Sequence, residues 1–198
     1  FAVNTEVLKK HNLPIPKTYD DLLDPQYKNL IAMPDPKSSG TGYNFYLNMV
    51  NERGLDGALE YFDKLAVNIK QFTESGAGPV KLLLQGEIGI GLGMTFQVVN
   101  EINNGNPLQI VFPEEGSPYS LTGVGIVKGR ENNPKVKAVA DYLINEVIIY
   151  DKENFSPEQI LKKQEIKIPN YPQNIQYADM TGADDLDLKD ELLEKWKY

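Results

Sequence analysis

Residues 29–42 read Asn-Leu-Ile-Ala-Met-Pro-Asp-Pro-Lys-Ser-Ser-Gly-Thr-Gly, and residues 73–93 read Thr-Glu-Ser-Gly-Ala-Gly-Pro-Val-Lys-Leu-Leu-Leu-Gln-Gly-Glu-Ile-Gly-Ile-Gly-Leu-Gly. Each stretch joins a strand to a helix through a turn of small residues. In the first, Asn29 to Met33 is an apolar run of strand length, and Pro34 and Pro36 cannot continue a hydrogen-bond ladder, so the chain turns. Beyond the turn Tyr43, Tyr46, Leu47 and Val50, then Leu55, Ala58, Leu59, Phe62 and Leu65, recur at spacings of three and four. That spacing is one helical face, divided into two helices at Gly54. In the second, Val67 to Phe72 alternates as a strand, and the turn Ser75–Gly78 leads to Pro79, a residue suited to a first helical turn. Val80, Leu83 and Leu84 are the expected buried face of that helix, and Gly86 ends it. Ile88, Ile90, Leu92 and Met94 then alternate with glycines as a further strand whose small residues admit a close neighbour.

The same alternation extends outward in both directions. Phe1 to Asn4 is an extended apolar segment, and Thr18-Tyr-Asp-Asp21 is a capping-box pattern opening a short helical turn that Asp24-Pro25 ends. Thr95 to Ile102 reads as a helix, Leu108 to Phe112 as a strand, Glu114 to Thr122 as a loop and Gly123 to Val127 as a strand. Asn133-Pro134 caps a helix with Val136, Ala140, Leu143 and Val147 on one side. Ser156-Pro-Glu-Gln159 is a second capping box, predicting a short helix that ends before Pro169. Asp179 to Tyr198 holds seven acids against three lysines, yet Leu188, Leu192 and Trp196 recur every four residues, which predicts an amphipathic helix docked on the domain. Strands alternating with helices through short connections predict an α/β sandwich around a mainly parallel sheet.

Composition narrows the chemistry. The chain has 198 residues, 41% hydrophobic and 24% charged, enough for one large domain or two small ones. No apolar run approaches the roughly 18 residues of a membrane-spanning helix. Twenty Lys and Arg against 28 Asp and Glu leave a net charge of −8, which repels phosphodiester backbones and argues against a nucleic-acid partner. The absence of cysteine removes disulfides, thiolate metal sites and a cysteine nucleophile. The single histidine, His11, stands in the lysine-rich Lys9-Lys-His-Asn-Leu-Pro14 and reads as a solvated helix end, leaving no candidate for a catalytic triad and no metal site. Phe1 in place of a Met, inside an extended apolar segment, predicts a chain cut from a longer one.

In α/β sheets, ligands bind outside the carboxyl ends of the strands, where the free N–H groups of helix starts converge. Ser38, Ser39, Gly40 and Thr41 form one such turn, and Ser75, Gly76 and Ala77 another. Either alone reads as an ordinary helix cap with glycine turns; two in equivalent topological positions put an anion site on an equal footing with that reading. Neither matches GxxxxGK followed by Ser or Thr, and Gly89-Ile-Gly-Leu-Gly93 lacks the GxGxxG spacing, so no nucleotide motif is present. Glu114 and Glu115 are adjacent on an extended loop and point opposite ways, which disfavours a paired-carboxylate hydrolase.

Taken in order, the segments at 1–8, at 13–42, at 75–93 and at 112–145 resemble the extracellular solute-binding proteins of ABC importers, in the subgroup that includes ferric-ion, phosphonate and sugar-phosphate binders. The resemblance covers nearly the whole chain. It implies a type 2 periplasmic-binding-protein fold: two α/β lobes joined by crossing strands, with the ligand held between them. Members of the family run longer at the amino end. By that pattern residues 1–110 and 151–198 belong to the second lobe, and 111–150 form a crossover segment returning to the first lobe, with a strand whose lack of partners invites dimerisation.

The resemblance assigns Ser39, Gly40 and Thr41 to the helix-start turn that binds a phosphate or synergistic anion, and Ser75, Gly76 and Ala77 to the second contact. Thr95 is a candidate hydroxyl donor, and Ser117 and Tyr119 are candidate cleft residues on the crossover. Ferric binders carry two adjacent tyrosines where this chain has Phe96 and Gln97, which disfavours iron held by phenolates and favours a phosphonate, sugar phosphate or phosphate-type anion. Ferric iron or a ferric chelate is the alternative ligand, and a phosphate-ester enzyme with catalytic residues outside this chain is the second alternative. The expected partners are a small anionic ligand and a membrane permease, with no cofactor. The expected location is outside the cytoplasmic membrane, as a periplasmic protein or a lipid-anchored one.

Overall fold

A computed structural model describes residues 1–156 and 168–198. The chain forms two compact units: Phe1–Ser120 with Pro172–Tyr198, and Leu121–Tyr171. The first unit is built on a five-stranded sheet: β1 (Ala2–Asn4), β2 (Ile31–Pro34), β3 (Ile69–Thr73), β4 (Ile90–Gly91) and β5 (Leu108–Ile110), in the order β3-β2-β4-β1-β5. β2 runs parallel to both β3 and β4, whereas β1 is antiparallel to β4 and β5. Four strands therefore point one way, and their carboxyl ends share one edge of the sheet. β4 is shorter than the alternation of Ile88 to Met94 predicts, because only Ile90 and Gly91 find ladder partners on both sides.

Helices α1 (Thr5–Lys10), α2 (Gly40–Leu65), α3 (Gly78–Leu84), α4 (Thr95–Asn103) and α7 (Leu186–Lys195) belong to the same unit. α2 breaks at Gly54, whose φ of 72° is the left-handed conformation that glycine adopts without a Cβ penalty, as the division of its apolar stripe predicts. The capping box at Thr18 closes reciprocally: Asp21 N–H donates to Thr18 Oγ1 and Thr18 N–H donates to Asp21 Oδ2, both at 3.1 Å, and a 3-10 turn covers Asp20–Leu23. Tyr46, Leu47, Phe62 and Leu65 of α2 pack fully buried on Ile31 and Met33 of β2 in the larger core. Val80 and Leu83 of α3 and Val98 of α4 pack with Ala2, Ala32 and Leu108 in the smaller one. Leu84 departs from its expected burial, being the last residue of α3 and exposed.

The last helix docks as its periodicity predicts. Leu192 and Trp196 are each 2% exposed, and Trp196 lies among Tyr46, Phe62, Phe72 and Tyr198 with ring centroids 4.9–5.7 Å apart. Edge-to-face contacts of this kind add roughly 0.5–1.5 kcal/mol each beyond the area they bury.

The second unit carries α5 (Pro134–Tyr142), a π-helical turn at Leu143–Val147 and α6 (Ile148–Asn154). Asn133 Oδ1 accepts from Lys135 N–H at 3.0 Å, giving the expected cap. Two expectations fail here. Gly123–Val127 forms no strand, because no other described segment lies alongside it to complete a ladder. The apolar face of α5 is not buried: Val136, Ala140 and Leu143 are only half-covered, and Val147 is 39% exposed. The helix predicted from Ser156 lies, after that residue, outside the described residues until 168. Among the described residues no helix is long and apolar enough to cross a membrane.

Candidate functional site

Three strand-to-helix turns meet at the carboxyl edge of the sheet, following β2, β3 and β4. The turn after β2 is fastened at its base: Asp35 N–H donates to Thr73 O at 2.8 Å, and Ser38 and Ser39 N–H both donate to Asp35 O. Ser39, 8% exposed, caps α2, its Oγ accepting from Gly42 N–H at 3.4 Å and its carbonyl from Tyr43 N–H. The amides of Gly40 and Thr41 have no acceptor among the described residues, so the start of the helical stretch that runs from Gly40 to the break at Gly54 offers two free donors at its positive end. Gly42 is required for a different reason: a Cβ there would fall inside 3.0 Å of the Pro34 and Asp35 carbonyl oxygens, so the helix start lies directly on the end of β2.

The turn after β3 approaches from the neighbouring strand. Thr73 Oγ1 donates to Ser75 O at 2.9 Å and Gly78 N–H donates to the same carbonyl at 3.0 Å, which folds Ser75–Gly78 tightly. A Cβ at Gly76 would fall inside 3.0 Å of Thr41 Oγ1 and 3.6 Å from Met94 Cε. The first turn, the second turn and the residue ahead of α4 are thus in contact at one point. Gln97, in the first turn of α4, donates from Nε2 to Ala77 O at 3.4 Å and ties the third turn to the second. The segments Ser38–Thr41, Ser75–Ala77 and Thr95–Gln97 contain no acidic side chain. Their exposed groups are amides, hydroxyls and the Phe96 ring, with the carboxylates of Asp35 and Glu74 elsewhere in the first two turns.

Beside them opens a small depression. Thr95 and Ser117 line it together with Tyr19, Phe45, Phe112 and Pro118. Phe96 is 36% exposed next to Thr95. Tyr119, 40% exposed, is not part of the lining; its ring packs on Tyr177 at 5.2 Å. Ser38 and Ser75 are exposed, and Ser38 Oγ makes only a 3.5 Å contact with Asp35 O. The structure therefore brings Thr41, Gly76, Ala77 and the start of α4 together, puts Thr95 and Ser117 in one depression, and turns Tyr119 to a neighbouring aromatic ring.

Tyr19 also lines this depression, and the sequence does not single it out, since its place within the capping box accounts for it locally. Its N–H donates to Glu115 Oε1 at 3.0 Å, its hydroxyl to Gly116 O at 3.3 Å, and its carbonyl accepts from Tyr61 Oη at 2.9 Å. Burial, reinforced by the Glu115 charge, pushes its phenol far above the usual range, so it acts as a neutral hydrogen-bonding group. The loop that it holds continues into Ser117, which bridges Tyr177 in parallel, with Ser117 N–H donating to Gln176 O and Ala178 N–H to Ser117 O, both at 2.9 Å. The two segments through which the chain leaves and re-enters this unit are thereby joined by a single bridge. Among the described residues no cluster of His, Asp and Glu could hold a metal ion.

Residues 1–180 match the family of bacterial extracellular solute-binding proteins. An uncharacterized protein of Haemophilus influenzae is 37% identical over 146 residues, which is 73% of this chain and 42% of the relative. A spermidine/putrescine-binding periplasmic protein of Salmonella typhimurium is 23% identical over 167 residues, 75% of this chain and 47% of the relative. Among solved structures, the periplasmic binding protein AfuA of Actinobacillus pleuropneumoniae, with exogenous fructose-6-phosphate bound, is 32% identical with a TM-score of 0.80, covering 98% of this chain and 63% of that one. The periplasmic binding protein P5PA is 28% identical with a TM-score of 0.82, covering 98% and 64%. The chain spans less than half the length of the curated relatives and about two thirds of the solved ones.

Proposed function

The chain belongs to the family of bacterial extracellular solute-binding proteins, and on that premise we propose that it captures a phosphorylated small molecule, a sugar phosphate foremost, for delivery to an ABC permease in the membrane. The phosphoryl oxygens sit on the Gly40 and Thr41 amides and the Thr41 hydroxyl, with Ser39, Ser75, Gly76 and Ala77 shaping the turns and Thr95 and Ser117 facing the remainder of the ligand. Charge-assisted N–H contacts to a phosphoryl group are about twice as strong as neutral ones, so a small set of donors suffices for selectivity.

The observation that supports this reading is the meeting of Thr41 and Gly76 at the helix start whose Gly40 and Thr41 amides are unspent. Phe96 and Gln97 offer no phenolate for ferric iron. The sugar-phosphate complex of the 32% identical AfuA points the same way.

The second unit, Leu121–Tyr171, belongs in this reading to a first lobe completed by further chain. Its exposed apolar residues, including Leu121, Val139 and Tyr142, are the surface that such chain covers. Left uncovered, the same surface pairs two copies of the chain. The protein works outside the cytoplasmic membrane, and its chemistry is recognition without turnover.

Thermal unfolding of the full-length protein tests the assignment, with glucose 6-phosphate, inorganic phosphate, an aminoalkyl phosphonate, ferric citrate and spermidine compared in phosphate-free buffer. At a hundred times its Kd a ligand adds about 2.7 kcal/mol, a rise of several degrees in Tm. A rise with the sugar phosphate, and its return unhydrolysed after incubation, is expected. A rise with spermidine or ferric citrate alone, or release of inorganic phosphate, overturns the reading.

A further inference from the structure

The carboxyl-terminal residues reach the anion-binding turn from outside the cleft. Lys37, two residues ahead of the cap Ser39, donates from Nζ to the main-chain carbonyl of Trp196 at 2.9 Å, while its own N–H donates to Asp35 Oδ1 at 2.9 Å. The Trp196 ring meets Phe72 edge-on at 5.7 Å, and the Tyr198 ring stacks on the same Phe72 at 5.4 Å and 15°. Phe72 directly precedes Thr73, the residue whose hydroxyl folds the Ser75 turn. Trp196 and Tyr198 thus touch the chain just ahead of the ligand turns, Trp196 at both Lys37 and Phe72 and Tyr198 at Phe72. Their far side is fixed to α2, with Lys197 Nζ 2.8 Å from Asp63 Oδ2 and Tyr198 Oη donating to Asp63 Oδ1.

We propose that Trp196–Tyr198 form a latch that positions the anion site, with Lys37 as the positioning residue: its ammonium, held by the Trp196 carbonyl, fixes the Asp35–Ser39 turn and so the direction of the Gly40 and Thr41 amides. A lysine this close to an anion site would ordinarily be read as a ligand. Here one of its three donors is spent on the main-chain carbonyl of the tryptophan that fills the aromatic core, so the charge is tethered to that core. A helix start preorganised in this way loses less entropy when the ligand arrives, which is where its affinity gain lies. The role depends on the phosphoryl site proposed above, but the latch itself can be read without any ligand.

Hydrogen exchange of the ligand-free, full-length protein is compared with that of Lys37→Met, which keeps most of the stem and removes the donors, and of Lys37→Arg. Lys37 is exposed, so these variants leave the core intact. The amides of Ser38, Ser39 and Gly42 exchange about threefold to tenfold faster in Lys37→Met, while those of α4 are unchanged and Lys37→Arg restores protection. Asp63→Asn, which loosens Lys197 and Tyr198 but leaves the Lys37 charge in place, moves the same amides in the same direction. In calorimetry with glucose 6-phosphate, Kd rises about threefold to tenfold for Lys37→Met and rises also for Asp63→Asn. Unchanged exchange in Lys37→Met overturns the latch, whatever the ligand data. A Kd lost in Lys37→Met but untouched in Asp63→Asn makes Lys37 a direct ligand and also overturns it. Faster exchange in Lys37→Met, together with a wild-type protein that binds no phosphate ester, keeps the latch and removes the phosphoryl reading instead.

Discussion

Substituting Gly76 by alanine tests whether the two helix-start turns work as one site. The added Cβ would fall inside 3.0 Å of Thr41 Oγ1, and it would lie 3.0 Å from Thr41 Cβ and 3.6 Å from Met94 Cε. The Gly76 backbone is outside the left-handed region, so alanine brings no conformational strain of its own. The overlap falls on a short, half-buried side chain with one rotatable bond, and a forced departure from its rotamer costs about 0.5–1.5 kcal/mol. That lowers Tm by about 2–4 °C for each kcal/mol in a protein of this size. Binding suffers more than stability, because a displaced Thr41 hydroxyl forfeits a hydrogen bond to a charged group worth about 1.5–3 kcal/mol, a factor of roughly 10 to 150 in Kd. Isothermal calorimetry with glucose 6-phosphate on the wild type, Gly76→Ala, Thr41→Ala and the double variant measures it. The two changes are strongly non-additive if Gly76 acts through Thr41, and Gly76→Ala then costs little in the Thr41→Ala background. Wild-type affinity in Gly76→Ala, or an equal loss in both backgrounds, refutes the reasoning.

Three smaller predictions follow from the same geometry. Ser39→Ala removes the acceptor for Gly42 N–H; its 3.4 Å length puts the cost at the low end of the roughly 0.5–2 kcal/mol for a lost cap, measured by urea unfolding. Asn68→Ala strips Nδ2 from the Leu22 and Asp24 carbonyls, bonded at 2.8 Å each by a residue 1% exposed, and costs about 1–3 kcal/mol in the same assay. Hydrogen bonds from Lys197 and then Tyr198 hold the Asp63 carboxyl below its ordinary value of 3.8. A depressed folded pKa gives stabilisation that is present above the unfolded value and lost as pH falls through the folded one. Emission from the only tryptophan, Trp196, is therefore flat from pH 8 down to about 4 and changes below that; a transition between pH 5 and 7 would contradict the assignment of the clip to Asp63.

The sequence carries the strand-turn-helix units most clearly, because proline, glycine and capping residues act locally. The break at Gly54, the reciprocal cap at Thr18 and the docking of Leu192 and Trp196 all follow from spacing alone. The Gly123–Val127 strand did not form, since a β pattern states only that a segment fits a ladder and not that a partner exists. The exposed face of α5 has the same cause: amphipathicity predicts a covered side without saying which chain covers it. In the site, the small residues at 38–41 and 75–77 announced two turns, but their contact through Gly76 and Thr41 depends on β2 and β3 being neighbours. The roles of Tyr19 and Lys37 depend on contacts 97 and 159 residues away, to Gly116 and Trp196, and no local pattern encodes them.

The central claim is that a phosphoryl group rests on the free amides at the start of α2. Amide chemical shifts of the ¹⁵N-labelled, full-length protein, titrated with glucose 6-phosphate, test it residue by residue. The account predicts saturable downfield shifts of the Gly40 and Thr41 N–H resonances, accompanied by Thr95. Saturable binding that leaves Gly40 and Thr41 unmoved would contradict it.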